Sequence, residues 1–470
     1  MTNRILFDII TFAEREYLRK RAAMAQLVEH ILGKDEVPSS NLGSSSRTST
    51  SHMRSAFFVL ELLPLYNREK SGIIYQGYNC NFKWTVIDMK CEKLFETIDN
   101  LQEKYVDFLA DICNIESPTD YKEGVDRVGS YFIDYAKEKG WKVEVCSQKI
   151  SGDVVCITLN PDAKKSPIAL SGHMDTVHPV GSFDEPKVRR EGNRLYGPGT
   201  KDCKGGIVAG LLAMDALSQC GFEERPVLLL LQSDEEKSSM PSGKETIKYI
   251  CKKAEGADAF LNIEGTSNHT AVLERKGILR LKLTVYGKAA HSAMCYDGAN
   301  AVCEAAYKII ELEKMKEKDG LTCNCTNVKG GTAPNVVAER CEFIADIRFA
   351  TLKEKDEVYE LVRAVAEKSF IEGTSCEVEE VSYRPPMEYT ERNVRLLERM
   401  NEIFRENEIS ELRGISANGG SDAAYVTIAG IPCVDSISTD GGATHSRGEY
   451  ALIDSLGEAA KRIASVIYCL

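Results

Sequence analysis

From residue 89 onward the apolar positions fall into a helical rhythm. Leu94, Ile98, Leu101, Tyr105, Phe108, Leu109 and Ile112 recur three and four apart, which predicts an amphipathic helix with one buried face. From about residue 150 short apolar runs alternate with amphipathic stretches. Strands are predicted at 153–159, 167–172, 227–233 and 258–263, and a helix opens at Gly205-Gly206 and runs through IVAGLLAMDAL. That alternation is the pattern of a doubly wound α/β sheet.

Between about 276 and 386 the texture changes. Two alternating strands (278–286 and 336–349) and two helices (near 298–316 and 353–369) predict a small α+β domain inserted into the larger one. Beyond it helix and strand alternate again up to a C-terminal helix near 454–468. The first 88 residues read differently. The stretch 39–52, SSNLGSSSRTSTSH, has no apolar face and cannot bury surface. Residues 24–46 resemble the conceptual translation of a bacterial transfer-RNA gene, MAQLVEH matching a D-arm and SSNL a T-arm. Residues 1–88 are therefore expected to be a non-native or disordered extension, with Met89 the start. Their removal should cost little, and peptide mass spectrometry upstream of Met89 reads the point directly.

Charge narrows the partners. A formal net charge of −12 over 470 residues leaves nothing to neutralise phosphates, so nucleic acid is not expected. No apolar run reaches the roughly 18 residues a membrane span needs. Sixteen cysteines scatter through predicted strands and helices, among them Cys146, Cys156, Cys251, Cys341 and Cys433. That scatter fits reduced thiols in a cytoplasm rather than a disulfide framework.

The candidate chemistry lies at the ends of the predicted strands. ALSGHMDTVHP delivers His173 and Asp175 to the loop beyond its strand, two residues apart, so the carboxylate can hold the second ring nitrogen of the imidazole. YGPGTKDCKGG places Asp202 just before a helix, LLLLQSDEE puts Glu235 and Glu236 after a buried strand, FLNIEG supplies Glu264, and GGATHSRGE supplies His445. In open α/β sheets ligands bind beyond the carboxyl ends of the strands. Acids gathered there repel one another unless a cation lies among them, and two imidazoles with several carboxylates suit zinc, with cobalt or manganese as alternatives. An aspartate bridging two ions would hold them about 3.5–4 Å apart. His178, beside Pro179, reads as structural, and Cys203 as a small packing residue.

GHMDTV, GPGTKDCKGG, DEE, Glu264 and the late THS, in that order, resemble metallopeptidase family 20 over residues 89–470. That family includes glutamate carboxypeptidase, acetylornithine and succinyl-diaminopimelate deacylases, aminoacylase and dipeptidases. The resemblance implies a di-zinc exopeptidase-type catalytic domain in two parts, 89–275 and 387–470, with an inserted lid or dimerisation domain at 276–386. It also implies that Asp202 bridges two Zn2+ ions (Co2+ or Mn2+ being possible), with His173 and Glu264 on one and Glu236 and His445 on the other. Glu235 would be the general base and Asp175 the partner of His173. KAAHSAM resembles the motif whose histidine, here His291, reaches the scissile carbonyl, often across a dimer interface. Asn335 of GGTAPNVV, Arg348 of DIRF and Arg384 of SYRPPM stand where the carboxypeptidase branch holds a substrate carboxylate, and Gly420 and Ser421 of NGGSDAAYV resemble a pocket-lining loop.

The expected activity is hydrolysis of the amide bond next to a free carboxylate in a small molecule or short peptide, by a cytoplasmic homodimer. Two cations would make water acidic enough to attack near neutral pH, Glu235 would move its proton to the leaving amine, and an arginine fork would grip the carboxylate. The alternatives are an N-acyl-amino-acid or N-acyl-diamine deacylase, of the acetylornithine or succinyl-diaminopimelate type, and a catalytically silent metal-binding scaffold. The intact Glu235 weighs against the scaffold.

Overall fold

The first helical rhythm becomes α1 (Glu92–Cys113), which buries Leu94, Ile98, Tyr105, Val106, Leu109 and Ile112 along one face. The computed structural model describes residues 91–265, 269–317 and 320–470. The expectations for residues 1–88, and for a start at Met89, lie outside the described residues. After α1 come α2 (Lys122–Glu138), β1 (Lys142–Cys146), β2 (Val154–Leu159), β3 (Ile168–His173), β4 (Arg189–Glu191), β5 (Arg194–Tyr196) and α3 (Lys204–Gln219). They are followed by β6 (Val227–Gln232), α4 (Glu245–Lys253), β7 (Ala259–Asn262) and β8 (Thr270–Arg275). The middle of the chain forms β9 (Gly277–Tyr286), α5 (Ala301–Glu313), β10 (Thr322–Gly330), β11 (Arg340–Phe349), α6 (Leu352–Glu367) and β12 (Ser375–Arg384). The last part forms α7 (Glu391–Glu406), β13 (Arg413–Ala417), α8 (Ala423–Ile428), β14 (Cys433–Asp435), β15 (Gly441–Gly442), β16 (Tyr450–Leu452) and α9 (Ile453–Cys469).

The large sheet is mixed and eight-stranded, in the order β1-β2-β6-β3-β7-β14-β8-β13. Its centre, β6-β3-β7-β14, is parallel, and every residue of β2, β3, β6 and β7 is buried. Successive side chains of a strand point to opposite faces, and here both faces are covered. Ile168, Leu170, Leu229 and Leu261 join one core with α1, α2, α3, α7 and α9. Ala169, Leu228, Leu230 and Phe260 join the other with α4 and α8. This is the mixed α/β fold expected, and the four strands predicted for it lie within one residue of those observed.

Two features of this layer position the site. In register, His173 pairs with Gln232 and Ser171 with Asn262, so β3, β6 and β7 end together along one rim. The N-terminus of α3 then lies directly on the end of β7. A Cβ on Gly206 would come within 1.8 Å of the Ile263 carbonyl, so only glycine lets the helix approach so closely. A small sheet, β15-β16-β5-β4, ties residues 189–196 to 441–452 and carries the loop of His445.

The middle segment forms an antiparallel sheet, β10-β11-β9-β12. The expectation of two strands there is corrected to four. β10 and β12 are the edges, each with one partner, and most of their residues are half-buried or exposed. Their apolar signal is diluted as solvent-facing strands require. The strand expected at 336–349 begins only at Arg340. β11 alternates cleanly: Cys341, Phe343, Ala345, Ile347 and Phe349 pack with α5 and α6 residues in a separate core, while Asp346 and Arg348 fall on the other face, with Arg280 opposite Asp346.

Candidate metal centre

His173 is the last residue of β3 and is buried. Its Nδ1 lies 2.9 Å from the Asp175 carbonyl oxygen, which fixes the ring. Its Nε2 is 3.1 Å from Asp202 Oδ1 and 3.6 Å from Glu264 Oε1. The other oxygen of Asp202 is 3.1 Å from His445 Nε2, which in turn is 3.5 Å from Glu236 Oε2. One carboxylate thus stands between two sets, His173 with Glu264 and His445 with Glu236. Groups of three here lie within 4.8 Å of one another in ligand atoms, one being His173, Asp202 and Glu236 and the other His173, Cys203 and Glu264.

The electrostatics are those of a site built for positive charge. Burial pushes the Glu264 carboxyl up to about 8 and that of Glu236 up to about 7. Burial also works against ionised Asp202, yet hydrogen bonds from His173 and His445 hold its pKa well below the ordinary value. His445 is raised to about 10, first by its contact with Asp202 and then by Glu236. His173 is raised well above its ordinary value although burial opposes it, because Cys203, Glu264, Asp175 and Asp202 surround it. So many acids in so little space hold either protons or cations. The donor set, imidazole nitrogen with carboxylate oxygen, fits zinc-type divalent ions. Cys203 fits packing instead: burial pushes its thiol up, and its sulfur accepts the His173 amide at 3.0 Å.

Asp175 does more than the expected partnership with His173. Its carboxylate lies 3.4 Å from Nδ1, and it also accepts the amides of Glu235 and Glu236, each at 3.2 Å, and the Thr119 hydroxyl at 2.7 Å. It therefore sets the turn that carries both glutamates. Glu449, the last residue of GGATHSRGE, is a positioning residue that was not singled out with His445. Buried between β15 and β16, it accepts the amides of Gly199, Lys201 and Asp202 at 3.0–3.1 Å. The loop of His445 thereby holds the loop of Asp202. His178 serves the same corner, its ring edge-on to Phe183 and its Nε2 3.8 Å from Glu449.

Beside these residues opens a cavity of about 450 Å³. Asp202, Glu235, Glu236, Glu264 and His445 line one part, and Arg275, Arg280, Arg348 and Arg384 another, with Gly420 nearby. Each arginine has an anchor. Arg384 is buried, with one Nη on Glu235 Oε1 and the other on the Glu235 carbonyl. Arg348 and Arg280 share Asp346, each at 2.7 Å. Arg275 bonds Asp435, the Ser436 hydroxyl and the Gly419 carbonyl. Neither Arg275 nor Arg280 was singled out in the sequence, where a charged residue on a strand reads as solvated. Ser421 is buried, and its hydroxyl oxygen accepts from the Asn262 side-chain amide and the Ala423 backbone amide. His291 and Asn335 stand together, the Ser292 amide on the Asn335 carbonyl at 2.9 Å, but both are exposed and neither lines the cavity.

The model of the family described as Peptidase family M20/M25/M40 matches residues 169–468. Carboxypeptidase G2 of Pseudomonas sp. (strain RS-16) is 27% identical over 77% of this chain and 88% of its own. A succinyl-diaminopimelate desuccinylase of Alkalilimnicola ehrlichii is 28% identical over 43% of this chain and 58% of its own. Among solved structures, an M20 family metallo-carboxypeptidase of Sulfolobus solfataricus superposes with a TM-score of 0.63 at 20% identity, covering 77% of this chain and 98% of that one.

The geometry around Glu449 predicts a measurable effect on metal retention. Glu449→Gln would turn an amide NH2 toward backbone amides that need an acceptor, loosening the Asp202 loop. Metal affinity should fall about 10–100-fold, read by competition with a chelator. Affinity and stoichiometry equal to those of the unaltered protein would rule out the positioning role.

Proposed function

Because the chain belongs to peptidase family M20/M25/M40, we propose that it cleaves the amide bond next to a free carboxylate, as a carboxypeptidase or dipeptidase does. It is a metal-dependent hydrolase, so the silent-scaffold alternative falls. The observation that carries the finer proposal is Asp202, one oxygen on each of two imidazoles, beside a cavity walled by arginines. Asp202, His173 and Glu264 would hold one zinc ion, and Asp202, Glu236 and His445 the other. Bound there, the two ions would acidify a water molecule and polarise the scissile carbonyl.

The chain's own residues supply the rest. Glu235 takes the proton of the attacking water at its carboxylate and returns it to the leaving amine. Its pairing with Arg384 gives the arginine a second task. A substrate carboxylate competes for the guanidinium, and as Arg384 turns to it Glu235 is released for proton transfer. Arg348 adds a second cation to that grip. The substrates are short peptides or small molecules, and the scattered thiols (Cys146, Cys156, Cys251, Cys341 and Cys433 form no disulfide) favour the cytoplasm. A second reading, N-acyl-diamine or N-acyl-amino-acid deacylase, draws support from the desuccinylase relative. A panel of dipeptides and N-acyl amino acids assayed with added metal separates the two.

His291 and Asn335 act, on this proposal, from a second copy of the chain. They lie on an exposed stretch of the middle segment with Met294 at 58% and Tyr296 at 97% exposure, the sort of apolar surface that pairs. Light scattering should report a homodimer, and a monomer at working concentration would confine any role of His291 to its own chain.

Two further measurements test the chemistry. Glu235→Ala should keep both ions yet lose several orders of magnitude in kcat, because proton transfer fails while the ligands remain; near-normal turnover with full metal content would remove Glu235 as the base. Substrates amidated at the C-terminus should be poor, and Arg348→Ala should mainly raise KM. Equal rates on free and amidated dipeptides would end the carboxylate-clamp proposal.

A further inference from the structure

A second groove, of about 540 Å³, shares Glu236 with the metal cavity. None of the four arginines lines it. Its walls include Pro118 and Tyr121 on one side and Val177, Pro179 and Val180 on the other. Apart from Glu236, its charged lining residues are Asp120 and Lys237, which form an ion pair with each other. Val177 and Val180 keep 38% and 56% of their surface exposed, so apolar surface is left uncovered beside the reaction centre.

The two walls are fastened to each other and to the metal centre. The Thr176 amide donates to the Ser117 carbonyl at 2.9 Å, and the Gly181 amide to Glu116 Oε1 at 2.6 Å. The Thr119 hydroxyl donates to Asp175 Oδ2, the same oxygen that accepts the Glu236 amide. The groove therefore has a fixed position relative to Glu236 and needs little ordering to bind a ligand.

We infer that this groove receives the acyl side of the scissile bond, and that the group it takes is uncharged and apolar. An aliphatic or aromatic N-acyl group, or the equivalent side chain of the residue before the cleaved bond, meets that description. The inference rests on the function proposed above and deepens it. With the substrate carboxylate among the arginines and its amide carbonyl beside Asp202 and Glu236, the other half of the molecule must leave the cavity. The groove that shares Glu236 adjoins that point; Glu236 is committed to the proposed metal and Asp120 is paired with Lys237, so a charged acyl group finds no free partner among the lining residues while an apolar one covers the two valines.

The test uses the metal-loaded full chain, N-acetyl and N-benzoyl derivatives of one amino acid, and the double variant Val177→Asp/Val180→Asp. The ratio of kcat/KM for benzoyl over acetyl should be about tenfold or more in the unaltered protein and fall close to one in the variant. Both side chains are exposed, so folding is spared, and Val180→Ser provides a milder change in the same direction. Calorimetric titration with benzoate and acetate requires no turnover and should show the same preference, lost in the variant. Equal binding of the two acids by the unaltered protein, or a preference that survives in the double variant, overturns the groove. A preference lost in the variant when no amide is hydrolysed supports the groove and counts instead against the hydrolytic function.

Discussion

The Asp202 carboxylate lies 3.1 Å from each of two imidazoles, and the larger half of the fold is arranged to keep it there. Three strands end on one rim and supply His173, Glu235 with Glu236, and Glu264. Asp202 itself comes from the turn before α3, and its place depends on Gly206, which lets that helix touch the end of β7. From the other side Glu449 grips three amides of the same turn, those of Gly199, Lys201 and Asp202. A carboxylate shared by two partners tolerates little drift, so the loops around it are bound to each other rather than left to the solvent.

Much of this was legible in the sequence because the signals were local. Apolar runs of four to six residues bounded by turn residues fit strands of a covered sheet, and polar residues that abruptly follow them mark the rim. Hence His173, Asp175, Glu235, Glu236 and Glu264 could be named from the strand ends, and the order of the motifs added Asp202 and His445 to them. The illegible parts depend on contacts between distant segments. Glu449 reads as one more acid on a loop until the 250 residues separating it from Gly199 are folded away. Arg275 looks solvated at a strand end, yet it is tied to Asp435. β10 and β12 were missed because an edge strand is half solvated and loses its alternation.

The motif residues of the middle segment divide in a way that sequence spacing cannot show. Arg348 and Arg280 share the open face of the four-stranded sheet because their register places them on either side of Asp346. His291 and Asn335 follow the same segment but emerge on exposed surface away from the cavity. One small sheet thus presents cations to its own site and an imidazole to solvent. That imidazole accepts the Ala293 amide at 3.2 Å, and the second copy of the chain proposed above would give it a task.

Charge balance links recognition to reaction. The chain is acidic overall, yet each arginine of the cavity arrives paired: Arg384 with Glu235, Arg275 with Asp435, and Arg280 with Arg348 through Asp346. The side chains of Arg384 and Arg275 keep only 5% and 13% of their surface exposed, and a guanidinium so covered is costly to leave unpaired. Pre-pairing avoids that cost, and on the proposed mechanism it would make binding an exchange of partners instead of a desolvation. The exchange is not equivalent at every arginine. Asp435 and Asp346 hold their arginines in place, whereas Glu235 is the group proposed to move the proton. On the proposed mechanism, a substrate carboxylate that displaced Glu235 from Arg384 would fill the binding site and free the base in one event, and an amide without that carboxylate would do neither.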